Sequence, residues 1–252
     1  MMNPAEFDNI ASAEQDFWWY RGMRQILFRL LDPIVRERAF HRVLEAGCGT
    51  GHFARTIASR YGLRVFPVDL GWEGLRHGKR LAVDHLAQAN IAALPFASGA
   101  FDLALSLDVI VHFARGDEDR PMRELARVLA PGGLLVVRVS ALDALRSRHS
   151  QFAHERQRFT RARLRSLAER HGLEILRCTY ANSLLAPIAY VKFRVCEPLF
   201  RSQPQSGVQP VGAWLNRALY IPLDWESRWI GSGRDLPIGQ SLILLARKPT
   251  SF

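Results

Sequence analysis

Seven short apolar runs that alternate with amphipathic stretches predict an α/β chain. Its centre is a doubly wound, seven-stranded, mostly parallel sheet, with a helical N-terminal segment and a helical insertion before the last strand. Three observations carry this prediction. The alternation starts at Val43 and persists to Ala246. A glycine-rich turn, Gly47-Cys48-Gly49-Thr50-Gly51, follows the first run directly and leads into an amphipathic stretch. Pro131-Gly132-Gly133 then supplies a stop-and-turn signal between the third helical stretch and the fifth run. A chain of 252 residues that is 48% hydrophobic can bury the core such a sheet requires.

Taken in order, Glu14 to Phe40 reads as helical because Ile26, Leu27, Leu30, Leu31, Ile34 and Val35 recur at helical spacing, preceded by Phe17-Trp18-Trp19-Tyr20. Residues 1–40 are expected to pack on the sheet domain as a lid. The strands are expected at Val43–Ala46, Leu63–Val68, Val83–Ala89, Phe101–Ser106, Leu134–Val139, Leu173–Tyr180 and Ser241–Ala246, with helices near 51–60, 71–80, 117–130 and 160–171. Residues 41–181 and 238–252 then form one sheet domain. The intervening 182–237, rich in proline and aromatics, is too long for a hairpin loop and is expected to be an inserted helical cap.

Composition narrows the function classes. Disordered and collagen-like chains are excluded. No apolar run approaches the roughly 18 residues of a membrane span, and the start MMNPAEFDNI is acidic rather than basic then apolar. Cys48, Cys178 and Cys196 are odd in number and far apart, which suggests neither a disulfide framework nor a zinc site, so a reducing, cytoplasmic setting is expected. The formal charge of +10 is unevenly spread. Residues 1–141 hold 17 basic and 16 acidic side chains, whereas 142–201 hold 12 and 5. Only Lys79, Lys192 and Lys248 are lysines, a skew that a GC-rich genome produces without selection for phosphate binding.

The chemistry concentrates around the glycine turn. Glycines at 47, 49 and 51 let the backbone turn tightly and approach a ligand, but the third falls one residue early for a GxGxxG dinucleotide fingerprint, which argues against NAD or FAD. Asp69 ends the second strand 18 residues after Gly51, where a carboxylate can accept hydrogen bonds from both hydroxyls of a ribose. Asn90 follows the third strand. Then come Leu94-Pro95-Phe96, Phe101-Asp102, Ser106-Leu107-Asp108-Val109, His112, Glu124, Arg127-Val128-Leu129 and Pro131-Gly132-Gly133.

This series, from about residue 40 to 140, resembles the class I S-adenosylmethionine-dependent methyltransferases, in particular a broad bacterial branch acting on small molecules (methyltransferase type 11-like). A weaker likeness extends to Phe17-Trp18-Trp19-Tyr20-Arg21, Tyr180-Ala181-Asn182-Ser183-Leu184-Leu185 and Pro237-Ile238-Gly239-Gln240-Ser241. The resemblance implies a Rossmann-like methyltransferase fold and S-adenosylmethionine as cofactor. It implies that Glu45, Gly47, Cys48, Gly49 and Gly51 hold the methionine moiety, that Asp69 holds the ribose and that Leu70 lies beside the adenine. Asn90, where Asp is more usual, and Ile91 would meet the adenine, and Ser106 and Leu107 would flank the sulfonium.

A sulfonium methyl is already activated, so methyl transfer needs alignment and exclusion of water rather than a covalent nucleophile or metal. A base helps a hydroxyl acceptor. His112, next to Asp108, and His154 are the candidates, and both equally suit structural hydrogen bonding. Trp19, Tyr20 and Arg21 are expected to line the acceptor site, aromatic residues 17–20 alternatively closing over the cofactor or plugging the N-terminal helix, and Arg21 and Arg24 to reach the cofactor carboxylate or lie on an exposed face. The eight arginines between Arg146 and Arg170, followed by apolar residues 184–195, suit either a peripheral membrane contact or lipid-linked acceptor, or the core of the insertion. A nucleic-acid substrate would use the same arginines for phosphates, but no RNA-binding module and no Asn/Asp-Pro-Pro-aromatic motif accompanies them. A cofactor- or partner-binding domain without turnover is the other alternative. The expected reaction is methylation of a small-molecule or lipid-linked acceptor, with oxygen slightly preferred.

Overall fold

Strands Val43–Ala46 (β1), Val65–Asp69 (β2), Ala87–Gln88 (β3), Phe101–Leu107 (β4), Leu129–Ser140 (β5), Glu174–Ala181 (β6) and Ser241–Arg247 (β7) form one sheet. Their order is β3-β2-β1-β4-β5-β7-β6. All pairings are parallel except those of β7, which runs antiparallel to both β5 and β6. The structure, a computed structural model, describes residues 2–199, 203–209 and 211–250. The two extreme ends of the chain, and residues 200–202 and 210 of the expected insertion, therefore lie outside the described residues.

The helices are Pro4–Ala13 (α1), Trp18–Glu37 (α2), His52–Tyr61 (α3), Trp72–Arg80 (α4), Asp119–Val128 (α5), Arg148–Phe152 (α6), Arg161–Arg170 (α7), Ala186–Val191 (α8), Glu197–Leu199 (α9) and Ala213–Gly231 (α10). A π-turn, Lys192–Cys196, joins α8 to α9. Strand alternation divides the core into two layers. On one face Leu44, Ala104 and Leu135 pack with Met122 and Leu125 of α5 and Leu164 and Leu167 of α7. On the other, Val43, Leu103, Leu105 and Val136 pack with Met23, Ile26, Leu27, Leu30 and Leu31 of α2, and with Leu223 and Ile230 of α10.

Helix α2 thus lies flat on the sheet, and it is α1 that crosses the strand ends. The α2–α10 packing is close: a Cβ on Gly22 would sit 2.3 Å from Leu223 Cδ1. The Asn216 side chain of α10 accepts the Trp18 N–H at 2.7 Å and donates to the Asp16 carbonyl, satisfying one of the amides that the first turn of α2 leaves open.

Three local expectations are corrected. The third strand is two residues long rather than seven, because Ala82 and His85 adopt left-handed φ and turn the chain before it reaches the sheet edge. Pro131-Gly132-Gly133 does not separate a helix from a strand. Helix α5 ends at Val128, and the three residues form an irregularity within β5, between the pairs Phe101↔Leu129 and Leu103↔Leu134. Finally, α1 was not expected, although Asn3 caps it by accepting the Ala5 N–H and Pro4 stands at its first position.

Candidate cofactor and acceptor site

The chain order reverses between β1 and β4, the place where open α/β sheets leave a crevice at their carboxyl ends. The glycine turn fills one side of it. The Gly47 and Cys48 amides both donate to the Val68 carbonyl, at 2.8 and 2.9 Å, which ties the turn to β2. Gly47 has φ +88°, and a Cβ there would lie 2.2 Å from Val109 Cγ2, so this position requires glycine on two counts. Asp69 spans the turn and the next loop: its carboxylate accepts the Gly49 amide at 2.8 Å and the Gly71 amide at 2.7 Å. Burial pushes its pKa up against these two hydrogen bonds.

Glu45 is the electrostatic anomaly. It is 2% exposed, and its Oε2 has no hydrogen-bond partner among the described residues. Burial, with the Asp69 and Glu14 carboxylates nearby, pushes its pKa up to about 8. An orphaned acid on the wall of a crevice fits a ligand that brings a cation or a donor. Because the folded-state pKa exceeds the ordinary 4.5, the folded protein binds more protons than the unfolded chain between these values, and stability falls as pH rises through about 8. Burial holds His52 and His112 below their ordinary value, so both are already neutral in this window. The melting temperature of the ligand-free protein should therefore drop by several degrees from pH 7 to pH 8.5, and Glu45→Gln should flatten the drop. A melting temperature that rises over this range, or an unchanged slope in the variant, would contradict the assignment.

A cavity of about 1020 Å³ joins these groups. Of the cofactor residues expected from sequence, Glu45, Gly47, Cys48, Gly49, Asp69, Leu70, Asn90, Ile91 and Leu107 line it. Gly51 stands behind the wall, opening α3 with φ +73°. Ser106 is also not on the wall. Strand alternation sends it to the same face as Ala104, where it is fully buried and its hydroxyl is unpartnered among the described residues. Asn90 spends part of its acceptor capacity locally, since Oδ1 takes the Ala92 amide at 2.9 Å. Cys48 is buried and its thiol is held well above its usual pKa, consistent with a small wall residue rather than a nucleophile.

Further along the cavity the two histidines part. His112 lines it, with Nδ1 3.2 Å from the His154 carbonyl. A carbonyl only accepts, so Nδ1 carries the proton and Nε2 is left as the basic nitrogen. His154 is a correction: left-handed φ of +58° in the turn after α6 leaves its side chain exposed and off the cavity wall, and only its carbonyl contributes. Trp19 and Tyr20 line the cavity, and burial raises the Tyr20 phenol pKa far above its usual value. Arg21 does not line it. Its guanidinium stacks 4.4 Å from the Tyr220 ring centroid. Arg24 lines the cavity but binds the Glu14 and Gln15 carbonyls at 2.9 and 3.0 Å.

Residues not singled out from sequence close the top. Phe7 of α1 fills the space left by Gly71, where a Cβ would lie 2.5 Å from its Cζ. Glu14 accepts the Thr50 hydroxyl, and burial raises its pKa to about 6. Glu6, 1% exposed, accepts the Ser206 hydroxyl at 3.0 Å and lies 3.6 Å from His149 Nδ1. The helix-start signature Asn3-Pro4 was the signal available for this element.

Most arginines of the basic segment have partners within the protein. Arg158 binds Glu155, Arg163 binds Glu118, Arg170 binds Asp119 and Arg165 lies beside Glu169. Arg161 donates to the Leu236 carbonyl and stacks on Tyr180. These side chains brace α7 against its neighbours rather than present a track of free cations.

Sheet order, glycine turn, Asp69 at the end of β2 and a crevice at the β1/β4 reversal together make a Rossmann-like methyltransferase fold. The profile of a family described as a methyltransferase domain matches residues 44–137. The malonyl-[acyl-carrier protein] O-methyltransferase of Enterobacter lignolyticus (strain SCF1) is 40% identical over 130 residues, 50% of this chain and 51% of that protein. A probable S-adenosylmethionine-dependent methyltransferase of Mycobacterium tuberculosis (strain ATCC 25618 / H37Rv) is 36% identical over 121 residues, 48% of this chain and 42% of the relative. The chain thus spans about half the length of the curated relatives it matches. Among solved structures, phosphoethanolamine N-methyltransferase 2 of Haemonchus contortus superposes with TM-score 0.59 at 17% identity, over 98% of this chain and 58% of that one, a likeness of fold.

Proposed function

We propose that the protein is an S-adenosylmethionine-dependent methyltransferase that passes a methyl group by in-line displacement to a small-molecule or lipid-linked acceptor, with oxygen as the preferred acceptor atom. The observation that carries this reading is the single cavity of about 1020 Å³ running from Glu45 and Asp69 past His112 to residues of β7. It sits at the upper end of the roughly 300–1,000 Å³ of ordinary ligand pockets and so has room for a second molecule beside a cofactor. The O-methyltransferase relative supports oxygen.

The donor group fits the residues present: Glu45 Oε2 lacks a partner among the described residues, and the glycine turn leaves open backbone beside it. Glu45 and Gly47–Gly49 would hold the methionine part, Asp69 the ribose hydroxyls, and Leu70, Asn90 and Ile91 the adenine. When bound, S-adenosylmethionine supplies a methyl on a sulfonium, which needs no further activation. The work left to the chain is positional. Leu107 and Tyr20 would shape the path between the two halves of the cavity, and α1, pinned through Phe7, Glu6 and Glu14, would exclude water. His112, neutral at pH 7 with Nε2 basic, would take the proton of an acceptor hydroxyl.

Incubation with methyl-tritiated S-adenosylmethionine and a fractionated cell extract tests the reading. Label is expected in a small-molecule or lipid fraction. Label confined to RNA would favour the nucleic-acid alternative, and S-adenosylhomocysteine binding without label in any fraction would favour a binding domain.

Peripheral membrane contact belongs to the same proposal. No helix among the described residues is long and apolar enough to cross a membrane. Ile188 is 65% exposed, and α10 presents Trp214 and Trp225 at 80% and 64%. Glu226 of α10 accepts the Ser183 and Leu184 amides at 2.7 Å, which ties α10 to the segment that leads into α8. Tryptophan beside exposed arginines such as Arg228 suits an anionic bilayer surface. Flotation with vesicles of phosphatidylglycerol and phosphatidylcholine at low salt should carry the protein upward, and Trp214→Ser/Trp225→Ser should reduce flotation severalfold. Wild-type protein that stays at the bottom would refute the contact.

A further inference from the structure

The two segments at residues 180–185 and 237–241, far apart in sequence, interlock at one corner of the cavity. Ala181 pairs with Ser241 where β6 and β7 meet. The Gln240 amide donates to the Asn182 carbonyl at 3.3 Å, and the Ser183 hydroxyl donates to the Ile238 carbonyl. Gly239 permits the approach, since a Cβ there would lie 2.4 Å from the Ala181 carbonyl oxygen. Asn182 adopts φ +56°, a conformation asparagine tolerates better than most residues. The corner is thus built to hold Asn182 in one place.

What it holds is an unused amide. Asn182 is 1% exposed and lines the cavity, yet its Oδ1 has no hydrogen-bond partner among the described residues. A buried carbonyl that has given up its water without gaining a donor is destabilising, so its retention on a cavity wall calls for a ligand. Gln240 lines the same wall. Arg158, a cation on the same wall, is already neutralised: it donates to the carbonyl of Ala141, whose amide binds the Gln240 carbonyl, and is bound to Glu155 at 2.6 Å. Glu155 also accepts the Ser140 hydroxyl. The Asn182 and Gln240 amides beside this neutralised arginine match groups that both donate and accept.

The geometry points to Asn182, with Gln240, as an acceptor-recognition subsite for a neutral, hydroxyl-rich group such as a sugar or polyol, rather than for an anion. The placement of the acceptor in this half of the cavity rests on the proposed methyl transfer.

The test uses the ¹⁵N-labelled full chain saturated with S-adenosylhomocysteine. Calorimetry first establishes that S-adenosylhomocysteine binds, and its absence would count against the methyltransferase reading, not this subsite. The Asn182 side-chain NH₂ resonance is assigned by its loss in Asn182→Asp and followed during titration with methyl α-D-glucopyranoside, myo-inositol and sodium acetate. A saturable shift with at least one of the two polyols, and none with acetate, is expected. No shift with either polyol, or a saturable shift with acetate alone, overturns the assignment. Should that variant fold poorly, the resonance is assigned in the wild-type chain by its through-space contacts with neighbouring Ala181 and Ser183, so the titration does not depend on the variant.

Discussion

Asp69→Ala is expected to lower affinity for S-adenosylhomocysteine by about 10²- to 10⁴-fold. Hydrogen bonds to a charged group contribute roughly 1.5–3 kcal/mol each, and two ribose hydroxyls are assigned to this carboxylate. Removing it also releases the Gly49 and Gly71 amides, which it holds at 2.8 and 2.7 Å, so the turn loses its brace as well. Asp69→Asn separates the two contributions. The amide oxygen can still accept one backbone N–H, so the fold of the turn should survive while ribose recognition suffers. Calorimetry on both variants decides the matter, and affinity within threefold of wild type for the alanine variant would remove Asp69 from the site.

Gly47→Ala should be nearly as damaging, through packing rather than charge. The new methyl would sit 2.2 Å from Val109 Cγ2 at a residue whose φ is +88°. Overpacking of this kind costs about 1–3 kcal/mol, and left-handed backbone on an L-residue costs roughly 1–2 kcal/mol more. Relief requires movement of the turn or of the loop after β4, and both line the cavity. The expected result is a melting temperature lowered by at least several degrees together with loss of detectable S-adenosylhomocysteine binding. An alanine variant that melts and binds like wild type would show that the turn is not under the constraint described here. The pair Gly47→Ala/Val109→Ala should recover part of the stability, because it removes the methyl groups in collision and leaves only the backbone cost.

The cofactor side of the cavity was legible because it is local. A strand, a glycine turn and a helix are consecutive in sequence, and Asp69 is fixed by the length of one strand–helix–strand unit. Where reading failed, register or backbone conformation intervened. Ser106 and Leu107 are neighbours, yet the pleat buries one and opens the other to the cavity. His112 and His154 have equal chemistry, and a left-handed turn exposes the second. The helix α1 that covers the strand ends lies within residues 1–40, expected as a lid, and carries an ordinary cap signature at Asn3-Pro4, but the helical periodicity read from the sequence begins only after it.

Hydrophobic periodicity and turn chemistry, being properties of adjacent residues, were enough to specify an α/β sheet and its glycine turn, while the class of cofactor came from the resemblance of the motif series. The surplus of arginine could not be interpreted in the same way, because a charge acquires its meaning from its partner. Folding brings Glu118 to Arg163 and Asp119 to Arg170, which turns much of a basic stretch into braces. The same long-range closure joins residues 182 and 240 into one corner and sets α1 over the crevice. Those contacts depend on strand order and on the antiparallel return of β7, and pairings between distant segments leave no periodicity along the chain to read.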